Sequence, residues 1–243
     1  TLNTGGDANA TGGDIDSTET GHGDSGGFVV NTRDEEEGGG DDIDPNETGF
    51  GDSGTFVCDT DDDDDSGTQV DGLVAHFALD DSLADEVDGD VGAATMVPQH
   101  EEGRHGGALL FDGVDDKVTI SAATLPQGNA ARTLSLWAKD AEPGVDVDKA
   151  RFFANWGTFE GLKGFGLYRT SNWNGYNHQQ DVSSTAALTG NWTHLALTHD
   201  GVAMKLYVGG ALKGNQTATL QTTGPNFVLG ASLSSDQPMY WKG

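Results

Sequence analysis

Residues Trp192 to Gly210 read Trp-Thr-His-Leu-Ala-Leu-Thr-His-Asp-Gly-Val-Ala-Met-Lys-Leu-Tyr-Val-Gly-Gly, an order that few folds accommodate. On an extended chain Leu195 and Leu197 point to one side, Ala196 and Thr198 to the other. After His199-Asp200-Gly201, Met204, Leu206 and Val208 alternate with Lys205 and Tyr207. Period-two alternation broken by Asp-Gly predicts a β-hairpin with one face more buried than the other. Gly209-Gly210 predicts a second tight turn, and Ala211-Leu212-Lys213 begins another strand.

The same punctuation runs through the chain from Gly72 onward. Strands are predicted at Leu73–Leu79, Ala108–Phe111, Lys117–Ile120, Thr133–Ala138, Arg151–Ala154, Gly164–Tyr168, Phe227–Gly230 and Met239–Trp241. Many short strands with Gly/Asp turns and no convincing helix predict an all-β fold, an antiparallel jelly-roll β-sandwich over residues 71–243.

Residues 1–70 differ in kind. They hold 20 of the 40 acidic residues and one basic residue, Arg33. They are rich in Gly, Asp, Thr and Ser, and carry too little apolar surface to offset the entropy of ordering, so a disordered acidic linker is the expectation. A repeat lies inside it, at an offset of 28: Asp14 through Thr32 matches Asp42 through Thr60. Each copy has one short apolar run, Phe28-Val29-Val30 or Phe56-Val57, able to add a strand to a partner's sheet edge; a plain flexible linker is the preferred reading. The formal net charge of −28 repels phosphates, which argues against nucleic acid and anionic membrane surfaces as partners. No stretch is apolar enough to insert in a membrane. Cys58 is the single cysteine, so no internal disulfide forms and a multi-cysteine zinc site is excluded.

Order and spacing of several motifs carry a family likeness. Gly106-Gly107-Ala108-Leu109-Leu110-Phe111-Asp112-Gly113, then Val118-Thr119-Ile120, then Thr133-Leu134-Ser135-Leu136-Trp137-Ala138-Lys139, then the Trp192–Gly210 hairpin and Met239-Tyr240-Trp241-Lys242-Gly243, resemble laminin-G-like domains of the concanavalin A-like lectin/glucanase superfamily. The likeness spans about residues 72–243. It implies a non-catalytic extracellular or cell-surface recognition module for glycan or protein, joined to neighbouring domains. The family continues into one more strand after the equivalent of Gly243, so the sandwich is expected to lack its last strand and to leave an inner sheet position unpaired. The likeness also implies calcium at a sheet rim. Asp80 and Asp112, hard-oxygen donors in turns, are the candidate ligands; as alternatives, both residues only shape their turns.

The candidate ligand surface is Tyr168 to His178, read as a loop, with Trp173, Asn174, Tyr176 and Asn177 as contacts. Aromatic rings stack on sugar faces, and Asn amides donate to and accept from hydroxyls. Trp137 and Trp192 are assigned to the core; His76 and His194 are read as strand residues satisfied by neighbours. No catalytic residue is assigned. Gly23-Asp24-Ser25-Gly26-Gly27 spells a trypsin-like nucleophile loop, yet it sits in an acidic repeat with no scaffold to hold a histidine base. Glu86-Val87-Asp88 lacks the second carboxylate of a glycosidase, because Val stands at position 91. Two other readings remain open at this point: an accessory carbohydrate-binding domain of a larger carbohydrate-active enzyme, and a structural adhesin or filament subunit.

Overall fold

The computed structural model describes residues 72–80, 82–87, 89, 92–95, 98–145, 150–236 and 238–243, and the backbone of 28–31. The rest of the tail, including the Gly-Asp-Ser-Gly motifs and Cys58, lies outside the described residues.

The described residues are all β, in two antiparallel sheets packed face to face. None of their elements is a helix able to cross a membrane. The strands are β1 (Phe28–Asn31), β2 (Leu73–Phe77), β3 (Ala93–Thr95), β4 (Gln99–Glu102), β5 (Gly107–Leu110), β6 (Lys117–Ser121), β7 (Arg132–Ala138), β8 (Arg151–Gly157), β9 (Gly164–Arg169), β10 (Asn172–Tyr176), β11 (Val182–Ala187), β12 (Thr193–His199), β13 (Ala203–Val208), β14 (Ala211–Thr217) and β15 (Asn226–Leu229). The front sheet runs β14-β13-β12-β7-β1-β2 and the back sheet β11-β10-β9-β8-β15-β6-β3; β4 and β5 form a separate hairpin.

The predicted hairpin is β12–β13. Leu195, Leu197, Met204 and Leu206 are fully buried, as the alternation requires. Its turn is closed by Asp200, whose Oδ1 accepts the N–H groups of Ala203 (2.8 Å) and Val202 (3.0 Å). Those two bonds, with Lys205 beside them, hold the Asp200 carboxyl down at about 2. Gly209 and Gly210 both adopt positive φ between the paired Val208 and Ala211. That is the two-residue turn whose twist matches antiparallel strands, and only residues tolerating φ > 0 build it cheaply.

The core lies between the sheets. Leu134, Leu197 and Leu206 form one register row of the front sheet. Ile120, Phe227, Trp156 and Phe165 form a facing row of the back sheet. Gly175 is required on the inner face of β10, since a Cβ there would collide with Leu197 and Val182.

Three features differ from the sequence expectation. Met239–Trp241 is not a strand; it is tied down by Ser232 and Gly230 and ends in a single bridge between Lys242 and Asp112. Asn172–Tyr176 is a strand, not a loop. The third is β1. Phe28–Asn31 is part of the sandwich, in an interior position: Val30 is in register with Ala75 of β2 and Leu134 of β7, both buried. The inner position between β2 and β7 is therefore paired, by a segment of the acidic tail.

Candidate functional site

Alternation along β9 sends Phe165 and Leu167 into the core and leaves Gly164, Gly166 and Tyr168 on the outer face of the back sheet. Register then sets Phe152 and Asn174 on either side of Tyr168, and Tyr176 beside Gly166. The glycines leave room for rings: a side chain on Gly164 would strike Tyr176. Phe152 stacks on Tyr168 (5.0 Å, 19°), Phe159 stacks on Tyr176 (5.8 Å, 13°), and His178 packs against Phe159 at 4.8 Å. Phe152 and Tyr176 are buried, Phe159 and Tyr168 half-buried, and His178 exposed. The cluster is thus a ledge with an apolar floor and an open rim.

Asp181 organises the rim. Its Oδ2 accepts the Tyr168 hydroxyl at 2.9 Å and its Oδ1 the Asn177 N–H at 2.8 Å. The Tyr176 hydroxyl lies 3.0 Å from His178 Nδ1. Burial, with Asp181 adjacent, pushes both tyrosine hydroxyls well above the usual phenol range, so both remain proton donors. His178 turns the chain toward Asp181 with φ of +63°. A β-carbon in that region costs on the order of 1 kcal/mol and persists where its surroundings over-determine it.

Of the four expected contacts, the structure brings Asn174 and Tyr176 to this outer face, sends Trp173 to the other and buries Asn177 just past the strand. Trp173 is 1% exposed, packed edge-on against Phe153 at 5.6 Å; its ring is core and offers no sugar platform. Asn177 is fully buried. The reason is the strand period: in a loop all four could face outward, whereas in β10 neighbours take opposite faces. Phe159 and Asp181 were not read from the sequence. They flank the strands, and only the hairpin folds them back over Tyr176 and Tyr168.

The candidate metal ligands also separate. The Asp80 carboxylate accepts the Gly107 N–H at the start of β5. Asp112 lies beyond the other end of β5, roughly 16 Å away along an extended chain, so the two do not share an ion. Asp112 instead joins Asp115 and Asp116, with one carboxylate oxygen from each lying within 4.8 Å of the others. Asp112 Oδ1 accepts Val114 N–H (2.7 Å), and Asp116 Oδ2 accepts Asp112 N–H (3.0 Å). A calcium ion binds oxygens at about 2.4 Å and so needs them no more than about 4.8 Å apart. The donor set fits. Asp115 and Asp116 were not read from the sequence, although they follow Asp112 by three and four residues.

Trp137 is not core. It sits on the outer face of the front sheet opposite His194, beneath Arg104 (5.3 Å to the ring) and His105 from the β4–β5 hairpin. His194 is satisfied by Ser135 Oγ at 2.8 Å, and burial lowers its pKa. His76 pairs with Glu86 at 2.8 Å. Trp156 is completely buried. A cleft of about 70 Å³, lined by Leu79, Leu136, Trp137, Ala138 and Trp192 among others, opens beside the end of β7.

Two antiparallel sheets packed face to face in this strand order define a jelly-roll β-sandwich domain. Residues 112–243 match the family model described as the concanavalin A-like lectin/glucanases superfamily, and the chain belongs to that superfamily. Among solved structures it is similar to domain 4 of AbnA, an extracellular GH43 arabinanase from Geobacillus stearothermophilus, in complex with arabinotriose: TM-score 0.53, 20% identity, covering 70% of this chain and 87% of that one. Mouse laminin alpha1 domains LG4-5 align with TM-score 0.39 and 13% identity over 61% of this chain and 40% of that one. The ligand-binding domain of botulinum neurotoxin serotype D, in complex with N-acetylneuraminic acid, aligns with TM-score 0.43 and 12% identity over 72% and 44%. The chain spans less than half the length of those last two. No curated protein sequence matches it.

Proposed function

We propose that this chain is a non-catalytic recognition module of a larger extracellular protein, and that its ligand is a neutral glycan bound on the Tyr168–Phe159–His178 ledge. The observation that carries the reading is the half-buried Tyr168, stacked on Phe152 with its hydroxyl fixed by Asp181. An apolar ring face next to an oriented carboxylate and an imidazole suits a pyranose or furanose, which presents C–H groups on one side and hydroxyls at its edge. Asn174 and Tyr176 support the ledge from the same face. The net charge of −28 disfavours sialylated or sulfated sugars. The similar arabinanase domain was seen with arabinotriose, so arabino-oligosaccharides head the panel of probes, and an accessory role beside a carbohydrate-active enzyme fits the same site.

Titration calorimetry against neutral oligosaccharides, arabinotriose first, tests this. Tyr168→Ala and Phe159→Ala are each expected to weaken the best ligand about tenfold, the worth of one lost stacking contact. Trp137→Ala, on the opposite sheet, is expected to leave affinity unchanged. A ligand whose affinity ignores both ledge substitutions would sink the assignment.

Calcium is proposed at Asp112, Asp115 and Asp116, where it would brace the loop between β5 and β6. At a hundredfold excess over its Kd the ion should add about 2.7 kcal/mol of stability, several degrees in Tm. Asp115→Asn with Asp116→Asn is expected to abolish that rise while leaving the ion-free Tm nearly unchanged. An equal calcium shift in the double variant would place the ion elsewhere.

A further inference from the structure

The front sheet depends on a strand from far away in the chain. β2 pairs with no strand of that sheet except β1, and β1 alone connects it to β7. Without a strand in this slot, the facing edges of β2 and β7 would leave backbone donors and acceptors unpaired next to the core. The slot is also longer than its occupant. β1 registers with Thr133–Ser135 of β7; past that point, Leu136–Lys139 and Leu79 face one another across the 70 Å³ cleft.

The occupant has a copy. At the repeat offset of 28, Phe28-Val29-Val30-Asn31 becomes Phe56-Val57-Cys58-Asp59. Asn31 lies opposite Leu73, so β1 and β2 form a hairpin closed by residues 32–72, forty-one of them. Were Asp59 to take the position of Asn31, residues 60–72 would close the same hairpin with thirteen. Loop-closure scaling favours the shorter connection roughly sixfold. Val30 is the better residue for the row between Ala75 and Leu134, but a free cysteine also behaves as a small hydrophobe. The two differences oppose one another.

We infer that the slot between β2 and β7 is an acceptor for either repeat strand, and that Phe56–Asp59 replaces Phe28–Asn31 when the first is withheld. The tail then works as a pair of alternative donor strands for its own domain, and whichever copy is outside the slot is available for other contacts.

Cys58, the single thiol, reports the exchange. In the full 243-residue chain the rate at which Cys58 reacts with Ellman's reagent is the reference. Val30→Asp puts an aspartate at the register position between Ala75 and Leu134. The variant is expected to stay folded by near-ultraviolet circular dichroism, with Cys58 slowed about tenfold or more by its new burial and at a rate independent of protein concentration. Adding Val57→Asp is expected to restore the fast reaction and lower the Tm below that of either single variant. A Val30→Asp chain that is folded with a fast Cys58 overturns the inference. So does one that unfolds, because the second repeat would then have failed to replace the first. Protection that grows with protein concentration overturns it as well, since the donor would be a second copy.

Discussion

Arg169→Ala is expected to cost about 3–5 kcal/mol, the range for breaking a buried ion pair from one side. The Arg169 side chain is 2% exposed, on the inner row of β9 opposite Trp173. Its Nε lies 3.1 Å from Oδ2 of Asp140, which is fully buried. Its terminal nitrogens donate to the carbonyls of Val145, Thr170 and Glu142. One side chain thus holds the segment after β7 against β9. Burial pushes the Asp140 carboxyl up, opposed by the Glu142 N–H and by Arg169. Alanine would remove the one cation that offsets that burial and leave three carbonyls short of a donor.

The pH dependence follows from the direction of that shift. A carboxyl whose folded pKa exceeds its unfolded value contributes fully below the unfolded value, near 4, and loses that contribution as pH rises through the folded one. Without Arg169 the shift grows, so the variant's deficit relative to the parent should shrink from pH 7 toward pH 4. Arg169→Met with Asp140→Leu, which removes both charges, is expected to recover much of the loss. Urea unfolding at both pH values measures all of this. A single variant within about 1 kcal/mol of the parent, or a double variant no better than the single, would contradict the account.

Arg132→Met is expected to cost about 3 kcal/mol or more, for a different reason. Arg132 is 2% exposed and meets carbonyls rather than a carboxylate. Nε donates to Ala130 (2.9 Å), one terminal nitrogen to Pro126 (2.7 Å), and the other to Gln127 (3.2 Å) and Gly128 (2.9 Å). The guanidinium lies over Trp156 and Phe165 at 5.8 and 5.5 Å. Burial lowers its pKa to about 10, so it stays charged throughout the working range and gives no pH dependence near neutrality. Four carbonyls converge on one planar cation, and an apolar side chain would remove that donor from each at about 1 kcal/mol apiece, while Pro126, Gln127 and Gly128 keep their bonds to Trp156 Nε1 and to the N–H groups of Ala130 and Thr222. Arg132→Lys keeps the charge but cannot reach all four and is expected to lose roughly half as much. Urea unfolding with an unchanged m-value checks both. A lysine variant as stable as the parent would show that charge, not the fork of donors, is what the loop requires.

Neither arginine announced itself in the sequence. Arg132 precedes a clean alternating strand and Arg169 ends one, and both look like solvent-facing strand ends. What buries them is the return of loops that are distant in the chain or carry no pattern of their own. Trp137 and Trp173 failed in opposite directions for a related reason. In Thr133–Ala138 the alternation was visible, but Trp137 was assigned to the core although it alternates with the buried Leu134, Leu136 and Ala138. In Asn172–Tyr176 the Asn and Gly content hid the strand, so the alternation that buries Trp173 was not applied.

What the sequence by itself determined is what neighbours in the chain decide: the hairpin at Thr193–Val208, the Gly209-Gly210 turn, most strands of the core and the superfamily motifs. Alternation and turn geometry act over a few residues and need no partner to be read. Tertiary structure alone decided which face of β10 meets the core, that Phe159 and Asp181 close over Tyr176 and Tyr168, that Asp80 and Asp112 stand apart, and that Phe28–Asn31 enters the sheet. Each of these depends on a strand's register against a distant partner. A shift of one residue exchanges the two faces of a strand, so the choice is made by the packed sandwich and not by the segment.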